Sequence, residues 1–234
     1  MTTVYLIPSF LSENAKATIP DYIISTIKKC QIIFAENERT ARRFLKAVDP
    51  SIVIDEFEWH TINKSENLDI SDFKTALQSG KNIAIISEAG CPGVADPGQE
   101  LIALAQQMKC TIRPLVGPSS ILLALMASGM NGQQFEFVGY LPIDNTERTK
   151  KIKELETQSS KNNSTKIFIE TPYRNNQMFD SLVQHCHSET KLCIGKNITS
   201  ENESIITKSI KDWKSSKPEL HKIPVIFLLH ATVK

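Results

Sequence analysis

Three short segments carry the residue types from which a site could be assembled. The richest reads Ser87-Glu88-Ala89-Gly90-Cys91-Pro92-Gly93-Val94-Ala95-Asp96-Pro97-Gly98. Small residues at 89, 90, 93 and 95 let a ligand approach the backbone closely. Asp96, Pro97 and Gln99 fall where the N-cap, first and third positions of a following helix would lie, so Asp96 is read first as a cap. The stretch ahead of it is longer than a strand-to-helix connection needs, and that excess points to function. A second segment, Val116-Gly117-Pro118-Ser119-Ser120, offers hydroxyls and helical N–H groups that suit a carboxylate or another anion, with simple capping as the plainer use. The third is Glu170-Thr171-Pro172-Tyr173-Arg174, where Thr171 and Pro172 fit an N-cap and first helical position. Glu170 and Arg174 could pair with each other or face a substrate.

What is missing narrows the chemistry. There is no G-x-G-x-x-G, no Walker loop and no G-x-S-x-G elbow, which argues against common dinucleotide enzymes, P-loop ATPases and α/β-hydrolases. Five scattered cysteines with no C-x-x-C pair argue against a disulfide framework or a zinc site and fit a reducing compartment. His185-Cys186-His187 is the one tempting cluster. Consecutive residues on a helix point about 100° apart, so these three read as a helix end reaching solvent and no metal is expected.

The elements that must position these segments follow a simple rhythm. Short β-rich apolar runs lie at 4–7, 32–35, 83–86, 111–116, 135–138, 166–169, 192–194 and 225–229. Amphipathic, helix-length stretches lie at 21–29, 39–48, 71–79, 99–108, 120–128, 146–158 and 177–185. Strands alternating with helices predict an α/β fold with parallel sheet. Each of the three candidate segments follows an apolar run, at the carboxyl end of a strand, where open parallel sheets bind ligands. A division is expected near residues 115–120, giving lobes at 1–116 and 117–234. The second lobe reads differently. Residues 150–165 and 196–217 are rich in Lys, Asn and Ser and read as exposed helix and loops, with 204–208 a weaker strand candidate. Its apolar runs after Lys191 leave no room for crossover helices, so antiparallel pairing and a mixed sheet are expected there.

Composition excludes several classes. With 41% apolar and 23% charged residues in a chain of 234, a proper core is available. Lys and Arg number 27 against 26 Asp and Glu, a net charge of +1, so no global field draws the chain to nucleic acid or membrane. A local basic patch is the only route to RNA, and no DNA partner is expected. No apolar run approaches a bilayer span, and the first residues lack a signal-peptide pattern, so a cytoplasmic protein is expected.

The 87–98 segment resembles the S-D-A-G-T-P-x-x-S-D-P-G signature of the tetrapyrrole-methylase superfamily, and more narrowly the branch that 2′-O-methylates a cytidine of small-subunit ribosomal RNA. Gly117-Pro118-Ser119-Ser120 is similar to that branch's G-P-S-A, and Glu170-Thr171-Pro172-Tyr173-Arg174 to its E-S-P-H-R. Ala35-Glu36-Asn37-Glu38-Arg39 stands where A-E-D-T-R is usual. The matches keep the family's order and span most of the chain. The resemblance implies two α/β lobes, S-adenosyl-L-methionine held in a cleft between them, and a homodimer. It implies cofactor contacts at Pro8, Ser87, Ala89, Gly90, Cys91, Pro92, Val94, Ala95, Asp96, Ser119, Ser120, Ile169 and Glu170. The sequence also departs from the pattern. The family's first loop, P-T-P-I-G-N-L-G-D, is here Pro8-Ser9-Phe10-Leu11-Ser12-Glu13-Asn14, without either glycine or the aspartate. Glu88 and Cys91 replace Asp and Thr, and the C-terminal extension of many relatives is not expected here. A changed first loop beside a kept cofactor loop implies the same methyl donor and leaves the acceptor open.

The implied reaction is displacement at a sulfonium methyl, which requires no metal and draws on alignment of acceptor, methyl and sulfur. A ribose hydroxyl needs its proton removed, so a general base within hydrogen-bond reach is expected. Glu88 is the candidate, with Glu36 and His60 behind it; a loop-bracing role for Glu88 stands beside this. Three functions stay open: methylation of RNA at a ribose oxygen, methylation of a tetrapyrrole or other small molecule, and cofactor binding without catalysis. Arg39, Arg42, Arg43 and Arg174 are the candidate cations for RNA.

Overall fold

The computed structural model describes residues 2–13, 15–62 and 70–231. The chain divides into two compact units, Met1–Ser119 and Ser120–Lys234.

The first unit is a wholly parallel five-stranded sheet. Its strands are β1 (Thr3–Ile7), β2 (Ile32–Ala35), β3 (Glu58–Thr61), β4 (Ile83–Ile86) and β5 (Thr111–Pro114), in the order β3-β2-β4-β1-β5. Strand side chains alternate between faces, and each face has its own core. Ile33, Ala35, Ala84 and Ile86 pack with Ile23 and Ile27 of α1 (Tyr22–Ile27) and Phe44 and Leu45 of α2 (Glu38–Val48). Ile32, Phe34, Ile83 and Ile85 pack with Phe73 and Leu77 of α3 (Ile70–Gln78) and Leu101 and Ala105 of α4 (Gly98–Gln107). Helices on both faces explain why the central strands read as unbroken apolar runs. The order places the carboxyl ends of β1 and β4 side by side, with Ile7 opposite Ile86.

The second unit holds a mixed sheet in the order β6-β7-β10-β8-β9, built from β6 (Phe135–Tyr140), β7 (Thr165–Ile169), β8 (Lys191–Lys196), β9 (Ser204–Ser209) and β10 (Val225–His230). Only β6 and β7 are parallel; β10 runs antiparallel to β7 and β8, and β9 antiparallel to β8. Its helices are α5 (Ser120–Ser128), α6 (Asn145–Asn162), α7 (Asn175–His185) and α8 (Ile210–Lys214). The α/β class and the antiparallel turn of the later strands are as the sequence predicts.

Four features extend or correct the sequence reading. β3 has no apolar run, because an edge strand of the pattern Glu-Trp-His-Thr is only half covered. The stretch 150–165 is largely α6, capped by Asp144 and ended by Asn163 in the left-handed region, and it buries Ile152, Leu155 and Ser159. Within 196–217, the short α8 buries Ile210 and Trp213, whose indole N–H donates to the Leu192 carbonyl at 2.8 Å. At the His-Cys-His cluster the helix stops at His185, and Cys186 turns into the core instead of toward solvent.

Candidate active site

Three loops of the first unit interlock at the carboxyl edge of its sheet. Ser9 and Gly90 form an isolated antiparallel bridge, with Ser9 N–H donating to Gly90 O at 2.9 Å and Gly90 N–H to Ser9 O at 3.3 Å. The Ser9 hydroxyl donates to Ser87 O, and the Ser87 hydroxyl donates to Gly90 O, both at 3.0 Å. Gly90 has φ +75°, and a Cβ there would stand 3.2 Å from Leu11 Cδ2 and 3.5 Å from Pro118 O. Its N–H and carbonyl are both engaged with Ser9, so Gly90 locks loops together instead of offering its amide to a ligand. Gly117 closes the third side: a Cβ there would lie 2.2 Å from Pro8 Cβ, a contact only glycine permits. Cys91 Sγ reaches Pro118 O at 3.5 Å. Burial and the Asp96 carboxylate both raise the Cys91 pKa, which keeps it a thiol.

Asp96 serves differently from the expected cap. The helix begins at Gly98 with Pro97 before it, and Asp96 Oδ1 accepts from Gly93 N–H and Gly98 N–H, both at 2.8 Å. The carboxylate therefore folds the loop back on itself. Gly93 at φ +81° and Ala95 at φ +60° complete the turn; the alanine does so at a cost of about 1–2 kcal/mol. This framework divides the expected cofactor residues. Pro8, Ser87, Gly90 and Pro92 are buried scaffold, whereas Ala89, Val94 and Ala95 are exposed. Small side chains at 89 and 95 leave the backbone open there, and Val94 and Val116 present uncovered apolar surface, 48% and 69% exposed. Open amides beside uncovered apolar side chains fit a ligand such as S-adenosylmethionine, with its flat ring and polar edges.

Glu88 is also exposed. Its backbone N–H donates to Glu36 Oε2 at 2.9 Å, and among the described residues its carboxylate has no ion-pair partner. Glu36 is thus occupied in holding Glu88. His60 stacks on Phe34 with ring centroids 4.6 Å apart, and its two nitrogens face Glu58 and Asp72. Of the three candidate bases, Glu88 alone presents an uncommitted side chain.

Beside Glu88 lies a cavity of about 420 Å³ that the sequence did not reveal. Its walls are the first loop through Phe10, Leu11 and Glu13, and a stripe of α2 at Thr40, Arg43, Phe44 and Ala47. The available signal was an apolar Phe10-Leu11 pair in mid-loop, a costly placement unless something covers it. Asn14, the last residue of the altered first loop, lies outside the described residues.

The expected basic cluster comes apart. Arg42 donates to Glu38 Oε1, faces Asp55 and lies 4.9 Å from the centre of the Trp59 ring. Arg39 and Arg43, one turn apart and exposed, have no acidic partner among the described residues. In the second unit, Ser120 opens α5 and Ile169 ends β7. Glu170 follows with its side chain 1% exposed, accepting from Arg174 Nη2 at 2.6 Å and Nε at 3.0 Å. Helix α7 begins at Asn175, so Thr171 and Pro172 form a turn and not the expected cap. Among the described residues no group of three or more His, Cys, Asp or Glu could hold a metal, and no helix is long and apolar enough to cross a membrane.

Residues 23–213 match the family model described as tetrapyrrole (corrin/porphyrin) methylases. The chain belongs to the tetrapyrrole methylase family. Curated members of similar sequence include the ribosomal RNA small subunit methyltransferase I of Bacillus subtilis, 29% identical over 91% of this chain and 69% of its own length. The protein of the same name from Mesorhizobium japonicum is 28% identical over 89% of this chain and 67% of its own. The chain spans as little as 59% of the length of another such methylase. Among solved structures, uroporphyrin-III C-methyltransferase from Thermus thermophilus complexed with S-adenosylhomocysteine shares the fold, with a TM-score of 0.59 at 12% identity, covering 97% of each chain.

Proposed function

We propose that this methylase transfers the methyl group of S-adenosylmethionine to a ribose 2′-oxygen of RNA, acting as a cytoplasmic homodimer. The cofactor, when bound, supplies an activated methyl on a sulfonium. The chain supplies the rest. Residues 89 and 94–96 bind the cofactor in the first unit, with Ser119 as a further contact there. Glu88 accepts the proton of the acceptor hydroxyl, which by itself is too weak a nucleophile.

One observation carries this reading: Glu88 is an uncommitted carboxylate, fixed through its backbone by Glu36, lining a cavity beside the 87–98 loop. The names of the similar curated proteins support RNA as acceptor. The runner-up, a tetrapyrrole acceptor, draws support from the name of the solved neighbour. The test is labelled methyl transfer from S-adenosylmethionine into total RNA and into small molecules from a strain lacking the protein. Label in RNA supports the proposal, label in a small-molecule fraction alone moves the acceptor to the runner-up, and label in neither refutes catalysis.

A further inference from the structure

The cavity beside Glu88 makes a narrower statement than the family does, and it rests on the RNA reading just given. We propose that it receives one entire ribonucleotide of the acceptor, turned out of its strand, with Phe10 against the base and Arg43 on the phosphate.

Size comes first. About 420 Å³ falls in the lower part of the range of small-molecule pockets and suits a single nucleotide. The walls are preformed. The Ser9–Gly90 bridge pins the start of the first loop, and Phe10 meets Phe44 edge to face with ring centroids 5.0 Å apart. Phe44 is buried, whereas Phe10 is half-buried and shows the rest of its ring to the cavity. An aromatic surface held in this way is what an unstacked base requires, since stacking on it returns about 1–3 kcal/mol per base. Turning a base out of its strand costs a few kcal/mol, least where it is already unpaired.

Charge decides the kind of ligand. Residues 40, 43, 44 and 47 recur at three and four along α2 and so line one face of it. Thr40 and Ala47 are small and leave room, and Arg43 stands between them without an acidic partner among the described residues. One guanidinium matches one phosphate, bidentately. Arg39, a turn earlier, is placed for the neighbouring phosphate of the same strand. Two carboxylates, Glu13 and Glu88, also line the cavity and suit the ribose hydroxyls as acceptors. The same pair is wrong for a tetrapyrrole bearing several carboxylates, which would meet two like charges and a single cation. Specificity by repulsion of this kind is as informative as attraction.

The test uses the full chain and the four nucleoside 5′-monophosphates, with the corresponding nucleosides as uncharged controls. Binding is read by chemical-shift perturbation. Two exposed positions are changed, so the core is untouched: Arg43→Gln and Ala47→Trp. The proposal expects monophosphates to bind the native chain. Arg43→Gln should weaken them about tenfold while nucleosides change by less than about twofold, as for one lost charged hydrogen bond. Ala47→Trp, which fills the cavity, should remove both, with S-adenosylmethionine affinity unchanged in either variant. Monophosphates that fail to bind, or bind Ala47→Trp as they bind the native chain, would overturn it. If they bind as expected and no RNA accepts methyl, the pocket stands and the RNA reading falls. If Ala47→Trp methylates RNA as well as the native chain does, the RNA reading stands and the pocket falls.

Discussion

The loops at residues 87–97 and 170–174 occupy the same kind of place, past the carboxyl end of an apolar strand, yet they are built on opposite plans. In the first, the fold is held by the Ser9–Gly90 bridge, by two hydroxyls and by two other carboxylates that accept backbone N–H groups, Asp96 from Gly93 and Gly98 and Glu36 from Glu88. That frees Glu88 to face outward. In the second, the acid is the fold. Glu170 is sealed in and takes Arg174 Nε and Nη2, so each charge answers the other. A loop that presents a carboxylate for chemistry must be braced by something else. A loop braced by its own ion pair has little left to present.

The difference can be attacked from both sides. Glu88→Gln should lower methyl transfer by roughly 10²–10⁴-fold, the range for losing a general base, while stability moves by no more than about 0.5 kcal/mol. Arg174→Ala should do the reverse. It leaves a buried carboxylate without its cation and should cost about 3–5 kcal/mol in denaturant unfolding. Equal loss of stability in the two variants would erase the distinction between the loops.

A smaller effect tests the interlock. Gly117→Ala drives a methyl into Pro8 and should destabilise by roughly 1–3 kcal/mol, as overpacking does. Gly132, where an added Cβ meets nothing within 4 Å, is the control and should tolerate alanine with little change or a small gain. Were both neutral, the Pro8–Gly117 contact would not be tight in solution.

The smallest effect lies in the second unit. His230 is buried, and burial, with Lys191 adding to it, holds its pKa below 6.5 against an opposing Ser164 backbone hydrogen bond. The unfolded chain then binds the extra proton more readily than the folded one. Its contribution to stability is complete above about pH 6.5 and is lost as pH falls through the folded value. His230→Gln should flatten that part of the pH–stability curve; an unchanged slope between pH 7 and 5 would show that the imidazole takes its proton without cost.

Much of this was legible in the sequence, for reasons tied to particular residues. Ile83–Ile86 and Val225–His230 read as strands because they are buried throughout, and burial on both faces leaves an unbroken apolar run. The excess length of the 87–97 loop marked it as functional, and the structure gives the extra residues a scaffold to build. Side-chain commitments were not legible. Arg42 looked like one of three free arginines, but Trp59 and Asp55, which engage it, come from an edge strand and a short turn without sequence signals. Asp96 looked like a helix cap because its spacing fits one, and only the fold shows that Gly93 N–H competes for the same oxygen. The cavity was hidden for a related reason, since Phe10 and Ala47 come to line one space only when the first loop is pinned beside α2.

The central claim is that this chain methylates a ribose of RNA with Glu88 as base. It is tested most directly by incubating native and Glu88→Gln proteins with S-adenosylmethionine and RNA from a strain lacking the protein, then hydrolysing the RNA to nucleosides for mass spectrometry. The account predicts a 2′-O-methylated nucleoside with the native protein and roughly a hundredth of it or less with the variant. No methylated ribose with the native protein, or equal yields from both, would contradict it.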